Sequence, residues 1–474
     1  MKTIGNYSLA IGSAFSLASA ALPAQQPAPA DRLIGNWFGT LVVPSARLRL
    51  GLTVERDSAG RLAGFMTSLD QGNAKIPATL SLQNDTLIVS MPAASATYKS
   101  VLAADDSLHG TFTQGAPFPL NMGRGAALAP PERPQEPKPP FPYRSDDVTF
   151  QSVPGVRLAG TLITPPGTGP FPAVVMVTGS GAQNRDEELL GHKPFLVIAD
   201  YLARHGIASL RYDDRGYAKS TGKFAAATSA DFADDAQAAV EFLRTQPGIA
   251  RDHVGILGHS EGGLIAPIVA ARSKDVAFIV LLAGPGLPGD SILLMQEELI
   301  GKAGNTPQAM IDRNAEANIR LFAAIKAARD SADAVTRVNA ISERMIASLP
   351  ADEQTQARAQ LEAAKKQILS PWMMYFLKYD PRPTLRRVHV PVLALDGSLD
   401  LQVPPRQDLA AIDSALTQGG NHDHRVVELP GLNHLFQTAK TGSPSEYASI
   451  SETFSPTALE LITDWINAHS GRKP

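Results

Sequence analysis

Two different patterns of apolar and polar residues divide this chain. From about residue 33 to 124, apolar and polar positions alternate in short runs such as 48–54 (LRLGLTV) and 86–90 (TLIVS), separated by turn-forming residues. Alternation with a period of two is typical of strands that bury one face. The sequence therefore predicts a small antiparallel β domain over residues 31–125, built as a sandwich or an up-and-down barrel. Its expected core includes the aromatic side chains of Trp37, Phe38, Phe65, Tyr98 and Phe112.

The pattern changes after residues 126–145, a proline-rich segment with the composition of an extended linker. Beyond it, short apolar runs alternate with stretches of helical periodicity, as at 231–245. This alternation predicts an α/β domain over residues 146–474, with a mostly parallel sheet wound by helices on both faces. The expected strands lie at 148–151, 156–163, 173–178, 207–212, 254–257, 278–282, 392–395 and 426–429.

One long segment, at about residues 290–380, interrupts the alternation. It is rich in Ala, Glu, Gln, Lys and Arg and contains no convincing strand, so it predicts a helical insertion. Two interpretations stay open: a bundle that only packs beside the sheet, or a cap over a functional site. Its position between two strands whose carboxyl ends carry motif residues favours the cap. The apolar run at 372–376 (WMMYF) is equally suited to lining a pocket and to filling a helical core.

The first residues have the features of an export signal. Lys2 is followed by an apolar stretch at 9–21 and by small residues that suit a cleavage site. A membrane anchor needs about 17 to 25 apolar residues, and the segment at 23–29, rich in proline and glutamine, ends this stretch earlier. We therefore expect residues 1–24 to be a signal peptide. The mature protein is then expected in a periplasmic or extracellular space, without stable membrane insertion.

Composition narrows the kinds of partner. Apolar residues make up 44% and charged residues 19% of the chain, which excludes a highly charged disordered protein. With 43 basic and 46 acidic residues the net charge is -3, so the chain lacks the electrostatic signature of a nucleic-acid binder. It contains no cysteine, which excludes disulfides, thiolate metal sites and a cysteine nucleophile. We therefore expect a small-molecule partner. Any catalytic residues are expected among Ser, His, Asp and Glu. These features do not determine the oligomeric state.

The strongest chemical signal is centred on Ser260. Residues 253–263 (HVGILGHSEGG) run from an apolar strand into a G-x-S-x-G motif, and an apolar helical stretch follows. This is the context of a nucleophile elbow. Gly258 and Gly262 let the tight strand-to-helix turn close without Cβ clashes. The motif alone recurs by chance, but the strand before it and the helix after it predict that Ser260 is a nucleophile rather than part of an ordinary turn.

A serine hydroxyl needs a base to take its proton and an acid to orient that base. Two later strand ends supply candidates: residues 392–400 carry Asp396 and Asp400, and residues 430–434 end at His434. We assign His434 as the base and Asp400 as the acid. Asp396 stands directly at the strand end, where support of the loop is the expected role, and it is the alternative acid.

The other histidines near these motifs receive different roles. We expect His253 and His259, on or beside the elbow strand, to be structural. His422 and His424 have the pattern of a solvated turn, because further ligands for a metal site are lacking. The sequence therefore predicts no metal.

Acyl transfer also needs N–H donors for the oxyanion of the tetrahedral intermediate. One is the backbone N–H of Glu261, the residue after the nucleophile. The second should come from the loop after the strand at 173–178, where we choose the N–H of Ser180 and keep Gly181 as the alternative. No phosphate- or dinucleotide-binding glycine pattern follows, so no cofactor is expected.

From about residue 148 onward the chain resembles the α/β-hydrolase superfamily, and its motifs are similar to those of the bacterial EstD-type serine esterases. Four motifs carry the resemblance in order: 177–186 (VTGSGAQNRD), 211–216 (RYDDRG), 258–263 (GHSEGG) and 432–434 (LNH). The resemblance implies an α/β-hydrolase fold and carboxylic-ester hydrolysis by a triad of Ser260, Asp400 and His434. It also implies that an amino-terminal β domain can precede the catalytic one.

The chain departs from many members in one place, because Thr178 precedes Gly179 where they have histidine. This puts the geometry of the second oxyanion donor in question. We interpret the charged turn at 213–216 as structural, bracing loops near the site through hydrogen bonds.

The sequence thus predicts a serine carboxylesterase that acts on short- to medium-chain acyl esters through an acyl-enzyme. Three alternatives remain. A peptidase similar to the prolyl oligopeptidases would share the triad, although the β segment is too short for their propeller. An acyltransferase would use the same intermediate with another acceptor. A non-catalytic protein would bind glycan or envelope polymer through its β domain.

Overall fold

The computed structural model describes residues 30–43, 46–70, 74–94, 96–114, 116–125 and 132–470. The predicted signal peptide, residues 1–24, lies outside the described residues, as does the first part of the predicted linker. Among the helices of the described part, none is long and apolar enough to cross a membrane.

The amino-terminal strands form a closed barrel in which each strand pairs with the next and the last returns to the first. The strands are β1 Gly35–Val43, β2 Ala46–Arg56, β3 Leu62–Ser68, β4 Ala74–Gln83, β5 Thr86–Met91, β6 Ala96–Leu102, β7 Ser107–Gln114 and β8 Ala116–Arg124. Of the two predicted architectures, the up-and-down barrel is the one observed. Trp37, Tyr98 and Phe112 are buried in its interior, as predicted.

Two of the five aromatic residues predicted to be in the core are not buried. Phe38 follows Trp37 directly on β1, and successive side chains of a strand point to opposite faces. Because Trp37 faces the interior, Phe38 faces outward and is only half-buried. Phe65 stands next to the buried Met66 and faces outward for the same reason, with the Lys75 ammonium 4.6 Å from its ring centre.

A second sheet of eight strands follows, in the order β16-β15-β14-β13-β11-β12-β10-β9. Its strands are β9 Arg144–Gln151, β10 Arg157–Thr164, β11 Phe171–Val177, β12 Ala208–Tyr212, β13 Ile249–His259, β14 Ile279–Leu282, β15 Val392–Gly397 and β16 His424–Leu429. β10 is antiparallel to both of its neighbours, and β11 to β16 are parallel. This order with one reversed strand is the predicted α/β-hydrolase fold.

Helices cover both faces of this sheet, each face with its own apolar core. The helices are α1 Pro194–Arg204, α2 Ser229–Arg244, α3 Glu261–Ala270, α4 Gly289–Ala303, α5 Gln308–Lys326, α6 Ser331–Ala347, α7 Ala351–Ile368, α8 Pro371–Lys378, α9 Arg382–Leu385, α10 Pro405–Gln418 and α11 Pro456–His469. The side chains of α2, α3 and α10 pack on one face, and those of α1 and α11 pack on the other. The sheet is therefore doubly wound, as the alternating pattern predicts.

The predicted helical insertion consists of α4 to α8, between β14 and β15. Its helices share a separate apolar core that includes Phe322, Ile325, Val338 and Leu377. This core explains why the segment has helical periodicity without strands, since its helices bury their apolar faces mainly against one another.

The described part of the proline-rich segment lies against the second sheet's loops. Arg133 donates hydrogen bonds to the carbonyl oxygens of Leu190, Ala448 and Ile450. The barrel touches the same region, because Leu48 of β2 packs with Leu190, Leu435 and Tyr447. The barrel therefore rests on the loops that follow β11 and β16.

Candidate active site

Ser260 occupies a strained turn between β13 and α3. Its φ of 53° and ψ of -115° lie in a region that residues other than glycine rarely adopt. The turn is held from outside, since the Ser260 N–H donates to the Leu282 carbonyl at 2.8 Å. A Cβ at Gly258 would lie 2.0 Å from the Gly262 carbonyl oxygen, and one at Gly262 would lie 2.0 Å from the Val177 carbonyl oxygen. These positions require glycine, and the structure has the nucleophile-elbow geometry that the motif predicts.

The structure brings His434 and Asp400 together, although they lie on different loops. His434 Nδ1 is 2.6 Å from Asp400 Oδ2, and both side chains are buried. The other carboxylate oxygen of Asp400 accepts the backbone N–H groups of Gln402 and Val403. Burial opposes ionisation of Asp400, but His434 and these hydrogen bonds outweigh it and lower the pKa of Asp400. An ionised Asp400 can therefore hold His434 in the tautomer that leaves Nε2 free to accept a proton.

Asp396, the alternative acid, has a different environment. It is buried at the end of β15, and its Oδ1 accepts the N–H of Gly397 at 2.7 Å. Burial and the negative charge of Asp400 raise the pKa of Asp396 well above its ordinary value. This environment favours the protonated form of Asp396, which can donate to Asp400 rather than orient His434.

The His434 ring lies beside the elbow. Its centre is 4.9 Å from the ring centre of His259, the residue before the nucleophile. Among the hydrogen bonds of the described residues, none joins Ser260 to His434. In unliganded enzymes this bond is often long and shortens only when substrate binds.

The loop after β11 runs directly beside the nucleophile. A Cβ at Gly179 would lie 3.2 Å from the Ser260 Cβ. The Gly179 N–H is occupied, because it donates to Glu187 Oε1 at 2.7 Å. The next peptide carries the N–H of Ser180, the predicted second oxyanion donor, and Glu261 begins α3, where backbone N–H groups have no intrahelical partner.

The charged turn after β12 braces this loop. Asp214 accepts the Thr178 hydroxyl at 2.9 Å and the Gln183 N–H at 2.8 Å. Asp213 binds the Arg185 guanidinium with both carboxylate oxygens. These contacts agree with the structural role predicted for residues 213–216.

A contact that the sequence does not predict joins the elbow helix to the insertion. Glu261 Oε1 accepts the Ser229 hydroxyl at 2.6 Å and the Trp372 indole N–H at 2.7 Å. Trp372 lies on α8 and stacks on Phe376 with 5.2 Å between ring centres. The insertion therefore reaches the residue next to the nucleophile, in agreement with a cap.

The buried Glu261 carboxyl makes stability depend on pH. Burial raises its pKa from 4.5 to about 7. The folded state therefore binds more protons than the unfolded state between these values, and stability falls as pH rises through this range. We expect Glu261→Gln to remove this loss, because its amide oxygen can still accept the hydrogen bonds from Ser229 and Trp372 but the side chain does not ionise. The difference in unfolding free energy, variant minus wild type, should be about 2 to 4 kcal/mol larger at pH 8 than at pH 4.

Urea unfolding of both proteins at the two pH values measures this difference. Glu241→Gln, at an exposed position on α2, is the control and should leave the pH dependence as in wild type. A Glu261→Gln effect that is the same at both pH values would contradict the assignment.

His424 does not lie in a solvated turn as predicted, because it begins β16 and its side chain is only 10% exposed. His424 contacts Asp413 and the Asn421 carbonyl at the start of β16. In the part of the chain that the structure describes, no group of three or more His, Asp or Glu side chains has an arrangement that could hold a metal ion.

Comparison with known proteins places this site in a family. The model of the X-Pro dipeptidyl-peptidase (S15 family) matches residues 154–422, which is more than half of the chain. The chain belongs to this family. The part of the chain that the family model matches begins just before β10. It includes the elbow, the insertion and Asp400, and it ends before His434.

The curated relatives are hydrolases. Esterase EstD of Thermotoga maritima is 26% identical over 312 residues, which cover 65% of this chain and 64% of that protein. Acyl-coenzyme A thioesterase 5 of Mus musculus is 29% identical over 150 residues, which cover 31% of this chain and 32% of that protein. The alignments thus span less than two thirds of the relatives' own length. They confirm the resemblance predicted from the motifs and support a serine hydrolase.

Among solved structures, the alpha/beta hydrolase GrgF from Penicillium is 18% identical and has a TM-score of 0.44, with 69% of this chain and 100% of that chain covered.

Proposed function

We propose that this chain is a serine carboxylesterase that hydrolyses short- to medium-chain acyl esters through an acyl-enzyme on Ser260. The observation that carries the proposal is the buried 2.6 Å hydrogen bond between His434 and Asp400, with the His434 ring 4.9 Å from that of His259, the residue before a serine held at φ 53°. A strained serine, a base next to it and a buried acid behind the base are the parts that nucleophilic acyl transfer needs.

In the proposed reaction, Ser260 Oγ attacks the ester carbonyl carbon while His434 Nε2 takes the hydroxyl proton. The oxyanion accepts the N–H groups of Glu261 and Ser180. His434 then protonates the leaving alcohol, which departs as the acyl-enzyme forms. Water attacks the acyl-enzyme with the same assistance, and the acid is released with Ser260 restored. Throughout, the Asp400 carboxylate stabilises the His434 imidazolium without taking its proton.

The cavity next to Gly179 and Glu261 is small. Its volume is about 10 Å³, and its lining includes Phe224, Phe232 and Ile265 beside the polar Asp214 and Asp235. This is room for about one water molecule, so the proposed preference for short acyl chains rests on the substrate panel below.

A peptidase is the second candidate, because the family description names X-Pro dipeptidyl-peptidase. A dipeptidyl-peptidase must bind the charged amino terminus of its substrate close to the nucleophile, which calls for an acidic group. The acid nearest to the nucleophile in sequence is Glu261, and its Oε1 already accepts hydrogen bonds from Ser229 and Trp372. Glu261 is therefore already engaged within the protein, and the substrate panel decides between the esterase and the peptidase.

One substrate panel separates these functions. Purified protein is assayed with p-nitrophenyl esters from acetyl to palmitoyl, with an acyl-coenzyme A thioester, and with Gly-Pro-p-nitroanilide. We expect kcat/KM to be highest for the short-chain esters and the anilide to remain at background. Faster cleavage of Gly-Pro-p-nitroanilide than of any ester would replace the proposal with the peptidase, and a folded protein inactive on all esters would contradict it. Added alcohols test for acyl transfer, which would appear as new esters.

A further inference from the structure

His259, interpreted from the sequence as structural, is bound at both ring nitrogens. Nδ1 lies 2.9 Å from Glu187 Oε1, and Nε2 lies 2.9 Å from the backbone carbonyl oxygen of His434. The His259 and Glu187 side chains are both buried. Glu187 lies in the loop after β11, 72 positions away in sequence.

The chemical nature of these two partners indicates which ring nitrogens of His259 carry protons. A carbonyl oxygen only accepts hydrogen bonds, so Nε2 of His259 must carry a proton. Nδ1 faces an oxygen of Glu187 that already accepts the Gly179 N–H. When Glu187 is ionised it is also only an acceptor, and Nδ1 then carries a proton as well. In this arrangement His259 is an imidazolium paired with the Glu187 carboxylate.

The pair connects three segments of the site. Glu187 holds the Gly179 peptide, and thereby the loop that carries the predicted oxyanion donor. His259 ends β13 directly before Ser260. The His434 carbonyl belongs to the loop that carries the base. Each segment is thus tied to the others by hydrogen bonds of one charged ring.

We propose that His259, as an imidazolium held by Glu187, is a positioning residue that fixes the oxyanion loop and the His434 loop around Ser260. The inference rests on the proposed ester hydrolysis for its kinetic readout. The charge state of the ring can be measured without any activity.

The charged and titratable groups facing His259 come from each loop that meets it. The loop after β11 contributes Glu187, the loop after β15 contributes Asp400, and the loop after β16 contributes the His434 ring, 4.9 Å away between ring centres. Burial opposes the charge, but the Glu187 carboxylate and the hydrogen bonds outweigh it and raise the pKa of His259 above 6.5. The stabilisation from the pair is complete below 6.5 and is lost as pH rises through the folded pKa.

The charge of His259 then limits activity at high pH. His259 must be charged to hold its two partners, which gives the pH profile an alkaline limb above pH 6.5. A triad whose histidine acts only as a base would not supply this limb, because a base is active in its neutral form.

The test uses Glu187→Gln and His259→Gln, with kcat/KM for a short-chain aryl ester measured from pH 5 to pH 10. In Glu187→Gln the amide still accepts the Gly179 N–H but no longer stabilises the imidazolium. We expect its alkaline limb to move about 1 to 3 pH units lower. In His259→Gln we expect kcat to fall more than tenfold at the optimum, with KM changed less and no alkaline limb.

His424 offers matched controls, because it contacts a carboxylate and a backbone carbonyl in the same way at the other end of the sheet. Asp413→Asn and His424→Gln should keep the wild-type profile. Thermal unfolding confirms that each variant is folded.

Imidazole ¹⁵N shifts provide the second readout, recorded on wild type and Glu187→Gln across the same pH range. A His259 ring that is charged at pH 7 in wild type and loses its proton at lower pH in Glu187→Gln supports the proposal. A ring that is neutral at pH 7 overturns it, as does a Glu187→Gln profile identical to that of wild type. Failure of the esterase proposal would be recognised separately, as absence of ester turnover in wild type.

Discussion

Replacing Asp400 with asparagine is expected to lower kcat for ester hydrolysis by about 10³- to 10⁴-fold. The asparagine side chain has almost the same shape, and its oxygen can still accept the Gln402 and Val403 N–H groups. Its amide group would then face His434 Nδ1 and donate to it, which places the ring proton on Nε2. In that tautomer His434 cannot take the proton of Ser260. Steady-state kinetics measure the loss, and thermal unfolding shows whether the fold is kept.

Asp396→Asn is the matched control for this variant. The raised pKa of Asp396 favours a protonated side chain beside Asp400, and an amide can replace it as a hydrogen-bond donor. We therefore expect its kcat to fall by less than about tenfold, because only the support of Asp400 is altered. If Asp396→Asn were as inactive as Asp400→Asn, the assignment of Asp400 as the sole orienting acid would be wrong.

Ser260→Ala should reduce ester turnover by about 10⁴- to 10⁶-fold, since no acyl-enzyme can form. Alanine meets the same strain as serine at φ 53°, so we expect the thermal unfolding temperature to change little. The measurement is kcat for the best ester of the panel, with protein prepared separately so that wild type cannot contaminate it. Substantial residual turnover that scales with variant concentration would contradict a nucleophilic Ser260.

Most of the fold could be predicted because its signals are local. The period-two pattern before residue 124 arises because each strand buries one face. The separate apolar runs after residue 148 arise because most of those strands are buried on both faces. The elbow was equally visible, since the clashes that require Gly258 and Gly262 arise within a few residues of Ser260 or against the adjacent strand. The carboxyl ends of the predicted strands then indicated where catalytic residues lie.

The predictions failed where local pattern does not determine which face is buried or which residues meet. Phe38 and Phe65 were predicted to be buried because they are aromatic. In the strands, their neighbours Trp37 and Met66 face the barrel interior instead. One overlooked signal was available: adjacent residues of one strand cannot both point inward.

Contacts across long sequence separations were also out of reach. The hydrogen bond from Trp372 to Glu261 joins residues 111 positions apart, and that between His259 and Glu187 joins residues 72 apart. Nothing in their neighbouring residues indicates the pairing. Likewise, Asp400 and Asp396 are both plausible acids in the sequence, and only the folded loops bring one of them to His434.

The most direct test of the central claim is covalent labelling of the nucleophile. Wild-type protein is incubated with a fluorophosphonate, and intact mass and peptide mapping locate the adduct. We predict one adduct per chain, on Ser260, slower labelling in Asp400→Asn and no labelling in Ser260→Ala. A folded wild-type protein that takes no adduct, or that takes it at another serine, would contradict the claim that Ser260 is the activated nucleophile.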